Sequence, residues 1–359
     1  MMRKEIKINI KLKEKNYLIF FLCLILGSFS AISQNVPRTY IAFQANEAIE
    51  IDGKDDETSW QKAPWSDSYI DIEGQKKPAY DTKMKMLWDE KYLYVFAEME
   101  EPHVWGNLKE RDTIIFYNND FEIFIDPDGD THNYYEFEVN SLNTVWDLFL
   151  SKPYRNGGTI LGGWDFKGLR SAVSVQGSLN NSKDIDKGWQ VEIAIPWSFK
   201  THPGGQTAVP KNEFWRMNFS RVNWDFEIVN GKYQRAKDIK TEKYRPEYNW
   251  VWSPQGVINM HEPEHWGYVY FSEKEAGEID SFKIPQNEHI KWYLYELYRQ
   301  QLIKEHKSTI NLTPKVILGK EVSPKLEVHT FEWAIWAKSP FTNQILSITK
   351  DGKFEAHKE

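Results

Sequence analysis

The segment Asp120-Phe-Glu-Ile-Phe-Ile-Asp126 decides the fold, because apolar residues occupy every second position and acidic residues most of the others. Successive side chains of an extended strand point to opposite faces, so this segment has one apolar face and one acidic face. Tyr135-Glu-Phe-Glu-Val139 repeats the alternation. Between them, Asp126-Pro-Asp-Gly-Asp130 has the composition of a tight turn. The stretch therefore predicts two paired, half-buried β-strands.

The same alternation recurs on both sides of this hairpin. The further segments are 82–88, 92–99, 189–195, 214–222 and 267–271. Gly, Pro, Asn and Asp residues bound these runs, and helical periodicity is scarce between them. Many short strands with turns between them indicate an all-β domain, a two-sheet antiparallel β-sandwich spanning residues 38–272.

The pattern changes after residue 272. Apolar residues recur near 3.6-residue spacing from Asn287 to about Lys307, which predicts a helix. Strand-like segments follow at 326–336 and 345–354, and Asp351-Gly352 is a strong hairpin signal. We expect residues 285–359 to form a C-terminal helix and hairpin extension that packs on the sandwich.

Residues 1–33 have the order of a secretory signal peptide. Basic residues up to Lys15 precede the apolar run 17–26, and Ala31-Ile-Ser33 resembles a cleavage site. The run is shorter than the roughly 20 residues of a membrane span. Cys23 is the only cysteine, so the mature chain would have no disulfide and no thiol catalysis. We expect a protein exported to the periplasm, cell envelope or medium, without a membrane span after cleavage.

The charge balance argues against two classes of partner. The chain has 45 basic and 52 acidic residues and a formal net charge of −7. Its first 34 residues hold six basic and two acidic groups, which leaves 39 against 50 in the remainder. Nucleic acids and anionic membranes require clustered Lys and Arg, so neither is an expected partner. No pattern predicts an oligomeric state.

Two pairs of strand carboxylates suggest an enzymatic alternative. Glu136 and Glu138 lie two residues apart on one strand, so their side chains share a face at a spacing of about 7 Å. Asp120 and Glu122 have the same spacing. That distance suits an inverting glycosidase, which makes a hydrolase of O-glycosyl bonds in carbohydrate catabolism one alternative. Alternating strands also place charges on a solvated face without any catalytic role.

The segment His261-Glu-Pro-Glu-His265 matches the letters of the zinc protease motif. That motif requires a helix that carries both histidines on one face, and Pro263 would break such a helix. We therefore predict a loop here rather than a zinc site. Met260 precedes His261, and the pair is the one feature that favours a second alternative, a haem-binding or redox sandwich.

The turn between the first two strands contains three acidic residues. Asp126, Asp128 and Asp130 bring carboxylate oxygens together, and such oxygens are the ligands that Ca²⁺ prefers. The turn lacks the helix-flanked loop of an EF-hand. The sequence therefore offers a candidate structural calcium site, although Asp and Gly are also ordinary turn residues.

Aromatic residues beside polar groups are frequent at predicted strand ends and loops. They include Trp105 with Arg111, Phe116 with Tyr117, Trp146 with Asp147, Tyr154 with Arg155, and Trp164. Sugars have flat apolar faces ringed by hydroxyl groups, and aromatic platforms with polar neighbours suit that chemistry. Most Trp side chains fill protein cores, so the loop aromatics as a group are consistent both with core packing and with carbohydrate binding.

Seven segments in order resemble the family-nine carbohydrate-binding modules. The matching segments are Ile51–Trp60, Leu87–Val95, Asp120–Asp128, Phe137–Asn140, Gly188–Trp197, Arg216–Arg221 and the stretch from Trp252 to Gly267. The resemblance covers residues 40–272 and is strongest for exported bacterial proteins that carry this module without a catalytic domain. It implies a β-sandwich, carbohydrate binding and structural calcium.

The resemblance also places a binding site. Family members clamp a sugar between two Trp rings, and these positions fall at Phe116, beside Tyr117, and at Met260, beside His261. The clamp is therefore altered in this chain, which makes a different or charged glycan the expected ligand.

The polar positions of the family site are altered as well. The strand acid is retained as Glu122, and a basic position falls at Glu138. A Gln position falls near Ser220, with Arg221 adjacent. Arg111, Arg155 and Arg221 could pair with a uronate or sulfate group. We expect an exported glycan-binding protein without chemistry of its own, in which Phe116 and Tyr117 stack on the sugar.

Overall fold

The computed structural model describes residues 36–200, 209–304 and 312–358. The chain from Pro37 onward forms one compact unit. The predicted signal peptide, residues 1–33, lies outside the described residues, and so does the predicted end of the C-terminal helix near residue 307. In the ranges that are described, no helix is both long and apolar enough to cross a bilayer.

Fifteen of the strands lie in the region predicted as a sandwich. They are β1 (Thr39–Gln44), β2 (Ile70–Asp71), β3 (Thr82–Trp88), β4 (Tyr92–Glu100), β5 (Asp120–Asp126), β6 (Tyr134–Asn140), β7 (Val145–Leu150), β8 (Ile160–Leu161), β9 (Arg170–Gln176), β10 (Gly188–Pro196), β11 (Phe214–Asn223), β12 (Phe226–Val229), β13 (Lys232–Arg235), β14 (Tyr248–Val251) and β15 (Gly267–Glu275). A short helix, α1 (Thr58–Lys62), follows β1.

Thirteen of these strands belong to one hydrogen-bonded sheet. Eleven of them follow the order β8-β7-β6-β5-β11-β15-β1-β3-β4-β10-β9, and off this path β14 pairs with β11 and β2 pairs with β14. Strand β1 joins the two halves, because its first residues pair with β15 and Phe43 and Gln44 pair with β3. The two halves pack against each other as a sandwich, and a single apolar cluster contains inward residues of both. Both pairings of β1 are parallel, whereas the sequence predicted antiparallel pairing throughout.

The C-terminal region has its own core. It contains α2 (Gln286–Lys304), β16 (Lys315–Ile317), β17 (Lys320–Val322), β18 (Lys325–Val328), β19 (Trp333–Lys338), β20 (Gln344–Thr349) and β21 (Phe354–Lys358). Strands β18 to β21 form an antiparallel meander. Ile290, Leu294 and Tyr298 of α2 pack on Ile335 and Ile348 of this sheet. The predicted hairpin at Asp351-Gly352 is confirmed, and the predicted strands 326–336 and 345–354 each divide at a turn.

A buried ion network joins this region to the sandwich. Arg155 and Arg299 both contact the carboxylate of Glu264, at 2.7 Å and 2.6 Å, and Arg299 also pairs with Glu262. Glu264 is 3% exposed, so its charge depends on the two guanidinium groups. These acids belong to the segment that spells the protease motif. Pro263–His265 is a single 3₁₀ turn, so the prediction of a loop is confirmed.

Candidate functional site

Four carboxylates form a cluster on β5 and β6. The alternation that buries Phe121 and Phe137 in the core turns the neighbouring acidic residues to the opposite face. The members of this carboxylate cluster are Asp120, Glu122, Glu136 and Glu138. Glu122 lies directly across from Glu138 in the register of the two strands. None of the four is more than 4% exposed, so the cluster is almost fully removed from bulk water.

Burial and mutual repulsion both act on these acids. Burial and the neighbouring charge of Glu122 raise the pKa of Asp120 and Glu136 well above their usual ranges. Burial raises the pKa of Glu122 to about 7. The pKa of Glu138 is raised by burial and by the other three acids. The cluster therefore resists carrying four negative charges.

Aromatic residues lie around the carboxylate cluster. We call Phe116, Tyr117, Trp146, Tyr154 and His261 the aromatic rim. On one side, a 3₁₀ turn spanning Ile115–Tyr117 brings the backbone N–H of Phe116 to Oε2 of Glu138, at 2.9 Å. The rings of Phe116 and Tyr117 are 4.8 Å apart. The ring of Tyr117 is 41% exposed and can therefore contact a ligand.

The other members of the rim approach the acids from β7 and two loops. Trp146 lies across from Glu138 in the register of β6 and β7. The rings of Tyr154 and His261 are 4.4 Å apart. His261 Nε2 lies 3.9 Å from Glu136 Oε2. Like Tyr117, Tyr154 is 41% exposed. Two exposed rings of the aromatic rim therefore border the carboxylate cluster.

His261 is expected to make folding sensitive to acid. Burial lowers its pKa to about 4, and Tyr134, Tyr154 and Glu136 surround it. Since the unfolded chain binds the proton near pH 6.5, stability is complete above that pH and is lost as the pH falls toward 4. Going from pH 7 to 4.5 should lower the free energy of unfolding by roughly 2–3 kcal/mol through this group.

Urea denaturation at the two pH values measures this effect. The His261→Gln variant should lose that part of the pH dependence. The matched control, His329→Gln, should retain the dependence of the parent, because the His329 side chain is 68% exposed. An equal pH dependence in parent and His261→Gln would contradict the assignment.

Several predicted site residues lie together. Phe116, Tyr117, Glu122 and His261 all belong to the rim or the carboxylate cluster, and Ser220 of β11 lies across from Glu122. Met260 is buried beneath the site and does not present its side chain to a ligand. Its side chain is 8% exposed and packs with Phe124 and Trp266, whose indole N–H donates to the Met260 carbonyl oxygen at 2.9 Å. The rings of Tyr154 and His261 therefore occupy the exposed side next to the second clamp position.

Arg221 lies away from this site, which corrects the expectation that it orients a ligand. Adjacent residues of a strand point to opposite faces, so Arg221 turns inward where Ser220 turns outward. Its guanidinium is fully buried and donates to Glu101 at 2.8 Å and to the carbonyl oxygen of Glu100 at 2.8 Å. Its role in this structure is to neutralise Glu101.

Trp105 and Arg111 also lie elsewhere. Trp105 is 2% exposed and stacks on Tyr233 in a small satellite core. Arg111 pairs with Asp147 and with Asp165, at 2.9 Å for the latter, and lines a polar pocket of about 600 Å³. Arg155 is committed to Glu264. The structure therefore does not support these residues as direct ligand contacts at the rim.

The acidic turn fits a calcium ion poorly. The oxygens of Asp126, Asp128 and Asp130 lie within 4.8 Å of one another. Asp126 already accepts hydrogen bonds from the backbone N–H groups of Gly129 and Thr131, at 3.0 Å and 2.9 Å. The buried ammonium of Lys291 donates to the Gly129 carbonyl oxygen, and Lys353 lies 3.4 Å from Asp130. Protein cations thus supply the positive charge, and calcium here stays a prediction.

Removing that ammonium is expected to create a metal site. The Lys291→Met variant should bind one more Ca²⁺ per chain than the parent, because the buried acids lose their neighbouring cation while the apolar stem is retained. Calcium titration calorimetry of both proteins measures the stoichiometry. Adding Asp128→Asn to the variant should remove the additional ion. Equal stoichiometry in variant and parent would show that the ammonium of Lys291 is not what keeps calcium from binding at the turn.

Sequence reasoning identified the rim residues Trp146 and Tyr154 only as members of a group. It left open whether Glu136 and Glu138 form a catalytic pair or lie on a solvated face. The signal for Trp146 was present, because residues 145–150 are a strand in which Trp146 shares a face with Leu148 and Leu150. The register that sets Trp146 beside Glu138 depends on strand pairing, which a single sequence does not reveal.

A family model matches most of the sandwich region. Residues 51–250 match the model described as "Carbohydrate family 9 binding domain-like". This range includes both strands of the carboxylate cluster and four members of the aromatic rim. It covers more than half of the chain.

Individual relatives match shorter segments. The chain is 30% identical over 114 residues to exoglucanase XynX of Acetivibrio thermocellus, which is 32% of this chain and 9% of that protein. It is 30% identical over 121 residues to endo-1,4-beta-xylanase A of Thermoanaerobacterium saccharolyticum, which is 34% of this chain and 9% of that protein. The chain thus spans less than a tenth of the length of either relative.

A solved structure of the same family aligns at low similarity. It is a carbohydrate-binding module of family 9 from Caldicellulosiruptor kristjanssonii in complex with cellotriose. The alignment has a TM-score of 0.42 and 15% identity, and it covers 69% of this chain and 100% of that structure.

Proposed function

Because the chain belongs to the carbohydrate family 9 binding domain-like family, it is a carbohydrate-binding protein, and we propose that its glycan lies on the aromatic rim. The observation that carries this placement is the position of two exposed rings, Tyr117 and Tyr154, beside one buried carboxylate cluster. Tyr117 and Tyr154 lie within the matched range, residues 51–250, and His261 follows it in the sequence.

The physical chemistry of the rim suits a sugar. Exposed aromatic rings remain hydrated until a ligand covers them, so stacking a sugar face on Tyr117 and Tyr154 removes apolar surface from water. A carboxylate accepts hydrogen bonds from hydroxyl groups, and Glu122 with 4% exposure is reachable only at the base of the rim. Rings therefore supply contact area, and the acids select the orientation of the hydroxyl groups.

The acids also favour certain glycans over others. Four carboxylates at one site disfavour uronates and sulfates, and Arg111, Arg155 and Arg221, which were expected to pair with an anionic glycan, lie away from the rim. Those arginines already pair with Asp147, Glu264 and Glu101. We therefore expect neutral or positively charged glycans to bind and anionic ones to be excluded.

The protein is proposed to act by binding alone. The curated relatives are named as glucanase and xylanases, but the match spans a small part of each, and the family model describes a binding domain. The family match gives no support to the alternatives of a glycoside hydrolase or a haem-binding sandwich. Export through the predicted signal peptide, residues 1–33, would place the module where polysaccharides are found.

A glycan array with the purified protein tests the proposal. We expect binding to one class of neutral or amino-bearing glycan and no binding to uronate or sulfate polymers. Incubation of the bound polysaccharide with the protein, followed by a reducing-sugar assay, should release nothing. Failure to bind any glycan would reject the function, and sugar release that Glu138→Gln abolishes would establish an enzyme instead.

A further inference from the structure

The carboxylate cluster is unusual in its lack of a cation. In residues 36–200, 209–304 and 312–358, His261 is the one basic side chain within 4.0 Å of its four acids, at 3.9 Å from Glu136. Burial lowers the pKa of His261 to about 4, so it is neutral at pH 7. The backbone N–H groups of Phe116 and Val222 donate to Glu138 and Asp120, but such neutral donors bring no full positive charge to the buried acids.

Three other buried acids of this protein have positively charged partners, whereas Glu192 is satisfied by N–H donors of Trp60, Asp52 and Gly53. Glu101 pairs with Arg221 at 2.8 Å, and Glu264 pairs with Arg155 at 2.7 Å. Glu288 lies 3.5 Å from Arg216. A buried carboxylate without a partner is costly, and the fold avoids that cost at these positions. The carboxylate cluster thus has the composition of a site whose positive charge comes from outside the chain.

Unpartnered atoms point to the same place. Oδ2 of Asp120 and Oε2 of Glu136 are both buried and have no hydrogen-bond partner. Glu136 is 4% exposed, and the acids Glu122 and Glu138 both act on it. Buried polar atoms in native proteins are nearly always satisfied, so these two oxygens mark a missing ligand.

The spacing of the acids identifies the class of ligand. One oxygen from each of Asp120, Glu122 and Glu138 lies within 4.8 Å of the other two. Oxygens that share one calcium ion at about 2.3–2.6 Å are at most about 5 Å apart. The site is also too enclosed for a sugar ring, since Asp120 is fully buried and Glu138 is 1% exposed. A small, hard cation fits both the spacing and the enclosure.

We propose that Asp120, Glu122 and Glu138 bind a divalent cation such as Ca²⁺ or Mn²⁺ at the base of the aromatic rim, and that sugar hydroxyl groups complete its coordination. Three carboxylates leave coordination positions open, and such ions take six or more oxygen ligands. Glu136 supplies further negative charge beside the ion. The second half rests on the proposed function, whereas ion binding itself does not.

Metal titration tests the first half. The full-length protein, stripped with EDTA and dialysed, is titrated with CaCl₂ and with MnCl₂ by calorimetry. We expect one ion per chain at pH 7.5 and at least about tenfold weaker binding in Glu122→Gln and in Asp120→Asn. Both substitutions preserve side-chain volume, and circular dichroism and thermal melting verify that the variants fold.

A second acidic group provides the matched control. Asp128→Asn changes the turn that already has Lys291 and Lys353 beside it, and it should leave the affinity for the ion unchanged. No ion binding at millimolar concentrations would overturn the proposal. Binding that Asp128→Asn abolishes and Glu122→Gln retains would also overturn it, because the ion would then occupy the turn.

Glycan binding with and without the ion tests the second half. Affinity for the array ligand should fall at least about tenfold in EDTA and return with CaCl₂ or MnCl₂. Glycan binding that EDTA does not change overturns the bridging role while the proposed function stands. An amino-bearing glycan that binds equally well in EDTA, with loss in Glu122→Gln, would show that an ammonium group neutralises the acids instead. Ion binding without any glycan binding would reject the proposed function alone.

Discussion

Replacing Glu264 by Gln is expected to lower the free energy of unfolding by about 3–5 kcal/mol. Oε1 of Glu264 lies 2.7 Å from the guanidinium of Arg155 and 2.6 Å from that of Arg299. All three side chains are largely buried. Although burial opposes ionisation, the two guanidinium groups hold the pKa of Glu264 far below its usual range. A neutral amide would leave two buried cations with half of their partner charge. Arg155 lies in the loop between β7 and β8 of the sandwich, and Arg299 lies on α2. Loss of their shared partner should therefore loosen the whole C-terminal region.

Urea denaturation followed by tryptophan fluorescence measures this loss. The matched control is Glu296→Gln, which removes an exposed pair with Lys315 and should cost less than about 1 kcal/mol. A change of similar, small size in both variants would contradict the view that this network holds the C-terminal region on the sandwich.

Removing the rings of Phe116 and Tyr117 together is expected to weaken glycan binding by at least about 100-fold. Truncation of a central aromatic contact typically costs 2 kcal/mol or more, and about 1.4 kcal/mol corresponds to tenfold in affinity. The two rings form one surface, with centroids 4.8 Å apart. The Tyr117 ring also contacts the guanidinium of Arg235, 4.3 Å above it, which fixes the ring for stacking.

Titration calorimetry with the glycan found on the array gives both affinities. Phe331→Ala is the matched control, because this ring is 81% exposed and lies in the C-terminal region. Thermal melting shows whether the double variant remains folded, since Phe116 also packs on the small core around Trp224. Unchanged affinity in a folded double variant would remove these two residues from the site.

Strand alternation was sufficient to predict most of the sandwich. The predicted strand 82–88 coincides with β3, and the segment Asp120–Asp126 coincides with β5. Each of these strands has one face in the core, so the hydrophobic effect acts on a pattern that the sequence displays directly. Strand β9 was missed, since Arg170–Gln176 is only half-buried and its alternation is weak.

The site was predictable only in part. The acids of β5 and β6 were visible as a shared face, but their burial was not. Burial comes from residues far along the chain, such as His261 beside Glu136. The same limit explains Arg221, because its partner Glu101 lies 120 residues earlier in the sequence. Contacts between residues that are distant in the sequence, rather than local propensity, decide which buried charges have a partner within the chain.

The acidic turn illustrates the same point. Three aspartates within five residues are consistent with a calcium site, and the turn itself forms as predicted. The ammonium beside it belongs to α2, which the sequence separates from the turn by more than 150 residues. Nothing in the local sequence of Asp126–Asp130 reveals that a lysine occupies this position.

A crystal structure of the protein with the glycan from the array would show where the sugar binds. We expect a sugar ring against Tyr117 or Tyr154, with its hydroxyl groups directed toward Glu122 and Glu138. A sugar bound elsewhere, for example in the pocket of about 500 Å³ that Tyr80, Tyr248 and Trp250 line, would contradict this placement.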